Sequence, residues 1–160
     1  MTLVVDTAEL AKVAPELMAR HPSHTWTVLS GGGPGSDLTA EVRLAADPSR
    51  VAVVQVHAGA EVYNVIFEGH TDTEYAYADD DRGEALQGRI DLAVAATRGP
   101  TRVTLRIAGG VAVASRLEVD PAGPNRLEGV AVSWALRRLK ALLRGRRLVE
   151  KVVELPAIEA

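Results

Sequence analysis

Four residues at alternate positions, Glu68, His70, Asp72 and Glu74, carry side chains that could do chemistry. Successive side chains of an extended strand point to opposite faces, so this spacing places all four on one face. An imidazole among carboxylates could bind zinc or manganese, or could serve in an acid–base pair. His57 could join the group from a neighbouring strand. The sequence therefore offers the four alternating residues as candidate metal ligands.

A plainer interpretation of this face is the solvated side of an edge strand, since edge strands carry charge that opposes association with other sheets. We favour this interpretation, and a contact surface for a protein partner is the remaining alternative. On this hypothesis the opposite face of the segment packs on the core. Its members are Thr71, Thr73, Tyr75 and Tyr77.

Two loops offer weaker candidates for a site. His21 and His24 flank a Pro-Ser pair, and their spacing is compatible with metal ligation, although no regular element is expected there to hold them. Residues 31–36 are rich in glycine, and such loops cradle phosphate when they lead from a strand into a helix N-terminus. The segment that follows is predicted to be another strand, so we expect a mobile hairpin loop instead.

Charge is divided between two parts of the chain. Residues 61–92 contain nine acids and two arginines, a balance of −7, whereas residues 126–151 contain eight bases and two acids, a balance of +6. The basic part could be a solvated helix face, a contact for a protein or anion, or a surface for nucleic acid or an anionic membrane. The whole chain has a net charge of −3, which argues against a nucleic-acid function. The candidate contact residues are Arg137, Lys140, Arg144, Arg146 and Arg147.

The first half of the chain predicts a helix followed by a run of strands. Asp6 or Thr7 can cap the helix, and apolar residues at three-and-four spacing continue until Pro22. Residues 37–77 then alternate between apolar and polar in several short runs separated by turns, which predicts consecutive antiparallel strands. Residues 51–56 are almost all apolar, which is typical of a strand covered on both faces.

The second half predicts a second helix, a hairpin and a third helix. Asp81 with Glu84 fits a capping box for the second helix, and residues 101–107 and 111–119 alternate around a Gly-Gly pair as a hairpin. The third helix is predicted from Asn125 to Gly145, with a strand at residues 127–132 as an open alternative.

A last helical turn or two is expected around residues 148–153, from the spacing of Leu148, Val149, Val152 and Val153. The 160 residues therefore predict a single α+β domain. We expect an antiparallel sheet of six or seven strands with three main helices packed mainly on one face. The order is helix, five strands, helix, two strands, helix.

The function predicted from the sequence rests mainly on missing chemistry. There is no cysteine, no nucleophile motif, no signal peptide pattern and no apolar run long enough to span a membrane. We therefore expect a non-enzymatic cytoplasmic protein-binding module without a cofactor, such as an immunity protein, a secretion chaperone or a regulatory subunit. Its partner would be another protein or a second copy of this chain. The alternatives are a metal-dependent or acid–base enzyme that uses Glu68, His70, Asp72 and Glu74, and a nucleic-acid-binding protein that uses the basic segment.

Overall fold

The computed structural model describes residues 6–31, 37–132 and 147–159, which form two helices and nine strands in two antiparallel sheets. The elements are α1 (Thr7–Ala19), β1 (His24–Gly31), β2 (Leu38–Leu44), β3 (Asp47–His57), β4 (Val62–Phe67), β5 (His70–Tyr75), α2 (Arg82–Arg98), β6 (Thr101–Ala108), β7 (Val111–Val119), β8 (Leu127–Val132) and β9 (Val149–Leu155). The α+β class is as predicted. The prediction of one sheet of six or seven strands with three helices is wrong, because the described strands divide into sheets of five and four and only two helices are described.

The first sheet is the predicted run of strands, ordered β1-β2-β3-β4-β5 with each strand antiparallel to the next. Both helices pack on one face of it. The expectation that residues 51–56 are covered on both faces is wrong. Ala52, Val54 and Val56 are buried, but Val51 and Val53 are only half-buried on the opposite face.

The two helices begin differently. The Asp6 carboxylate accepts hydrogen bonds from the backbone N–H groups of Ala8 at 2.9 Å and Glu9 at 3.1 Å, so the predicted cap of α1 is confirmed. Asp81 is the N-cap of α2 but makes no side-chain capping hydrogen bond, so the predicted capping box with Glu84 does not form. The core side of α2 carries the fully buried Leu86 and Ile90.

The second sheet has the order β8-β7-β6-β9. Strands β6 and β7 form the predicted hairpin. The prediction of a third helix is wrong at its start, because residues 127–132 form β8 beside β7. A strand over these residues was the alternative prediction. The remainder of that helix, residues 133–146, lies outside the described residues.

The prediction of a helical turn or two around residues 148–153 is also wrong. This segment is strand β9, which pairs with β6 so that Val153 lies beside Val103. Its β-branched valines favour a strand, and the paired strand supplies the backbone hydrogen bonds that an isolated turn lacks. Val103 lies 50 residues before Val153, and a pairing over that separation cannot be seen in a local pattern.

A buried arginine on β3, Arg50, forms hydrogen bonds with backbone groups that are distant in the chain. The Nη1 group of Arg50 donates to the backbone carbonyl oxygens of Pro156 at 2.7 Å, Arg98 at 3.3 Å and Thr97 at 3.4 Å. These carbonyl groups lie at the end of α2 and just after β9, so one guanidinium joins the two sheets. Neither helix in the described residues is long and apolar enough to cross a membrane.

Candidate functional site

The polar residues of β5 point into the molecule, opposite to the favoured prediction. His70, Asp72 and Glu74 lie beside three buried residues of β4, and the register fixes them on the core face. Those neighbours are Phe67, Val65 and Tyr63, respectively. The side chains of Thr73 and Tyr75, expected in the core, are exposed instead. The pairing register of β5 sets which side chains face the core, since a shift of one residue would turn every side chain of the strand to the opposite face.

His70 is fully buried and connects the two sheets. Its Nδ1 lies 2.7 Å from Ser115 Oγ on β7, while its Nε2 has no hydrogen-bond partner and lies 3.8 Å from Asp72 Oδ1. We assign the Nε2–H tautomer, because this N–H is then attracted to the carboxylate. The Ser115 hydroxyl consequently donates to Nδ1. At 3.8 Å the imidazole acts on Asp72 through its dipole, since this distance is too long for a hydrogen bond.

Arg89 of α2 joins the same group. Its guanidinium pairs with Asp72 through Nη1 and with Glu74 Oε2 through Nη2 at 2.9 Å, and its side chain is only 12% exposed. The His70 N–H and the Arg89 guanidinium together hold the pKa of the Asp72 carboxyl below its ordinary value, whereas burial acts in the opposite direction. Asp72 is therefore ionised at neutral pH, and its ion pair with Arg89 connects β5 to α2.

A crevice opens beside this group, between α2 and the second sheet. Its volume is about 430 Å³, and its polar walls include Asp72 and Arg89. Gly129 of β8 lies against the carboxylate, since a Cβ placed there would be 2.1 Å from Asp72 Oδ1. Only glycine permits this close approach of β8 to β5.

The remaining predicted ligands are not brought to this group. Glu68 is exposed in the turn between β4 and β5, where its φ is 48°. His57 lies on the other face of the first sheet, where its Nε2 is 3.1 Å from Asn64 Nδ2. Within residues 6–31, 37–132 and 147–159, no three His, Asp or Glu side chains are arranged to hold a metal ion.

His21 and His24 are separated by their surroundings. The buried ring of His24 lies between Ser23 Oγ, 3.0 Å from Nδ1, and Thr97 Oγ1, 2.9 Å from Nε2. Burial, with the nearby charges of Arg98 and His21, lowers the pKa of His24 to about 4. His21 instead lies with its Nε2 3.2 Å from Asp91 Oδ1. His24 thus serves as a neutral core residue that holds α2 against β1.

The first sheet leaves one large surface uncovered by any described helix or strand. We call it the open face; it consists of outward side chains of β2 to β5, including Glu41, Arg43, Val53, Gln55, Val62, Asn64, Ile66, Thr71, Thr73 and Tyr75. Glu41 and Arg43 pair with each other, with Nε 2.7 Å from Oε1. Thr73 Oγ1 donates to Asn64 Oδ1 at 2.8 Å. Several polar groups of the open face are thus paired with one another.

Two tyrosines lie at the border of the open face. Tyr75 is 59% exposed and Tyr77 is 70% exposed, and their rings stack with centroids 6.1 Å apart and an interplanar angle of 12°. Glu61 lies next to them, because its backbone carbonyl accepts the Ala76 N–H at 3.0 Å. The sequence prediction placed both rings in the core, and their exposure makes them available for contacts.

The outer face of the second sheet forms a concavity of about 590 Å³. Its charged residues are compensated in pairs, such as Arg102 Nε with Glu154 Oε1 at 2.8 Å and Arg116 Nε with Glu128 Oε1 at 3.2 Å. Arg147, the described member of the predicted basic contact, is exposed. Arg137, Lys140, Arg144 and Arg146 lie outside the described residues.

Sequence reasoning missed Arg89, Ser115 and Gly129. A signal for Arg89 was present, because it lies three residues after the buried Leu86 and so falls on the apolar stripe of α2. Ser115 and Gly129 gave no comparable signal, since their importance depends on which strand lies opposite. Comparison with protein-family models, curated proteins and solved structures gave no match.

Proposed function

We propose that this chain is a non-enzymatic, intracellular protein-binding module that binds its partner through the open face. The observation that supports the proposal is the exposed stack of Tyr75 and Tyr77 at the border of the sheet face that no described helix or strand covers. Tyrosine is enriched at the centres of protein interfaces, because its ring buries a large area with few rotatable bonds and its hydroxyl stays wet. The cysteine-free composition supports an intracellular setting.

The open face also suits a protein better than a small molecule. Apolar side chains such as Val53 and Ile66 are only half-buried there, between hydroxyl and amide groups. Its central charges, Glu41 and Arg43, neutralise each other, so a partner need not supply a matching charge there. Such a surface fits a second sheet face of small apolar and hydroxyl-bearing side chains, from another protein or a second copy.

The test compares partner capture by two surface variants. Tyr75→Ser combined with Tyr77→Ser removes both rings, whereas Val111→Ser removes an apolar side chain of similar exposure at the distant β6–β7 hairpin. We expect the double variant to bind a stoichiometric partner at least about thirtyfold more weakly, which is the usual effect of removing a hot-spot residue, and Val111→Ser to retain the partner. Size measurement of the purified protein identifies the case in which the partner is a second copy.

Both variants should remain folded, because surface substitutions usually change stability by less than about 0.5 kcal/mol. Equal partner recovery by the two variants would show that the tyrosine border is not the contact. Recovery of no stoichiometric partner by the unmodified protein, from cells or as a second copy, would contradict the binding function itself.

An acid–base enzyme is a second candidate, favoured by the position of His70 and Asp72 beside the crevice. It requires His70 to exchange a proton with a substrate, although the ring is fully buried. Turnover in a substrate screen that is abolished by His70→Gln would support it. Turnover unchanged in that variant would exclude His70 as the proton carrier.

A further inference from the structure

We propose that the free edge of β1 pairs with β1 of a second copy of this chain, so that two five-stranded sheets join into one continuous antiparallel sheet. Strand β1 lies at the end of the first sheet, and in the described residues its only neighbouring strand is β2. The stacked tyrosines of the open face follow β5, at the other end of that sheet. The edge of β1 is therefore a separate surface, and the proposal goes beyond the proposed function.

Backbone groups specify what this edge can bind. The Ala45 N–H donates to the carbonyl oxygen of Ser23, the residue before β1, at 2.9 Å. Hydrogen-bonded positions alternate along an antiparallel pair, so Trp26 and Val28 direct their N–H and C=O groups away from β2. An extended strand is the partner that supplies donors and acceptors at this alternating spacing.

The β1 strand lacks the charges that keep edge strands apart. Residues 24–31 contain no Asp, Glu, Lys, Arg or Pro, and Val28 is 48% exposed. Charged side chains occur on the three other edge strands of the described sheets: Asp72 and Glu74 on β5, Glu128 on β8, and Glu150, Lys151 and Glu154 on β9. An uncharged edge with β-branched and aromatic residues is the kind that takes up a further strand.

The sequence of β1 also suits pairing with itself. Its pairing with β2 is regular over residues 24–28 and shifts only beyond them. Trp26 is the centre of this regular part, with Thr25 before it and Thr27 after it. A two-fold axis at Trp26 therefore places Thr25 of one copy opposite Thr27 of the other, and each contact occurs twice, as in an isologous dimer. Threonines opposite each other on paired strands are favourable neighbours.

The two threonines allow a matched pair of variants. Both are exposed, and on β2 they lie beside Arg43 and Glu41, respectively. Lysine at both positions would meet one like and one opposite charge within its own chain, and so would glutamate at both positions. The lysine variant (Thr25→Lys with Thr27→Lys) and the glutamate variant (Thr25→Glu with Thr27→Glu) should therefore fold equally well.

The experiment measures self-association of the full chain by sedimentation velocity over a series of protein concentrations. Pairing along one edge gives a small interface, so we expect a weak dimer that forms as the concentration rises. The lysine variant and the glutamate variant each place like charges opposite one another twice, and each should weaken the dimer by about two- to thirtyfold. An equimolar mixture should restore association, because each like-charge pair becomes an opposite-charge pair.

The control variant lies at the opposite edge of the same sheet. Thr71→Lys with Thr73→Lys adds the same charge at the same spacing on β5. This variant should dimerise like the unmodified protein, and so should the Tyr75→Ser, Tyr77→Ser double variant. Weakening by either of them, with the two β1 variants unaffected, would move self-association to the open face and refute the β1 dimer.

A second measurement locates the contact on the backbone. Amide hydrogen exchange at Trp26 and Val28 should slow as the protein concentration rises, since these N–H groups gain acceptors in the dimer. The amides of Thr25 and Thr27 face β2 and should respond less. Exchange at Trp26 and Val28 that does not depend on concentration would contradict the pairing.

Two further results would overturn the proposal. A monomer at every concentration would show that β1 does not take a second copy. A mixture of the lysine and glutamate variants that stays monomeric would show that the two threonines do not lie opposite each other.

Partner capture separates this proposal from the open-face proposal. A monomeric chain whose lysine variant loses a captured protein would give the β1 edge to a strand of that protein, and would refute the second copy. The tyrosine double variant should lose a partner bound at the open face and still dimerise. Either proposal can therefore fail without the other.

Discussion

Acidification should destabilise this protein through one buried histidine. The ring of His24 is enclosed by Ser23 and Thr97, and burial lowers its pKa from the ordinary 6.5 to about 4. The unfolded chain therefore binds a proton between these two pH values while the folded chain does not. Stability from the neutral ring is complete above about pH 6.5 and is lost as the pH falls toward 4.

The size of the effect follows from the two pKa values. A tenfold change in protonation corresponds to about 1.4 kcal/mol, so the difference between 6.5 and about 4 amounts to roughly 3 kcal/mol. Most of it, about 2–3 kcal/mol, should be lost already between pH 6.5 and about pH 4.5. Asp72, whose pKa is also lowered, contributes at lower pH, because its carboxylate begins to protonate only below its ordinary value of 3.8.

The assay is urea unfolding followed by tryptophan fluorescence at several pH values across this window. His24→Gln keeps hydrogen-bonding groups near Ser23 and Thr97 but cannot titrate, so its free energy of unfolding should depend on pH by about 2–3 kcal/mol less than that of the unmodified protein. His57→Gln, on the open face, is the control and should keep the original pH dependence. Parallel curves for the unmodified protein and His24→Gln would refute this explanation.

Three further stability predictions concern buried polar contacts. Arg50→Met removes the donor to three backbone carbonyl groups and should cost about 2–4 kcal/mol, whereas Arg102→Met, in an exposed ion pair, should cost less than about 1 kcal/mol. Ser115→Ala leaves Nδ1 of His70 without its partner and should cost about 1–3 kcal/mol, and Ser115→Thr, which keeps the hydroxyl, should recover part of that loss. Gly129→Ala forces a methyl group to within 2.1 Å of a carboxylate oxygen on β5 and should cost about 1–3 kcal/mol. Urea unfolding at neutral pH measures all three, and a cost near zero in any of them would contradict the contact it tests.

The candidate site could be predicted only in part from the sequence. Alternation correctly places His70, Asp72 and Glu74 on one face of a strand, because side chains of a strand alternate whatever lies around it. The same alternation is equally consistent with either face being buried. The inward choice depends on Arg89, which neutralises two carboxylates from α2 and so makes their burial tolerable.

Local pattern by itself determined the helix that Asp6 caps, the run of strands from β2 to β5 and the β6–β7 hairpin, since caps, turns and alternation act between residues close in the chain. Only the tertiary structure decided that residues 127–132 and 149–155 are strands. Each gains its backbone hydrogen bonds from a strand that is distant along the chain or reached through a loop, and no local period records that partner. The crevice and the open face are likewise products of assembly, because they are the surfaces that remain when the described sheets and helices pack against one another.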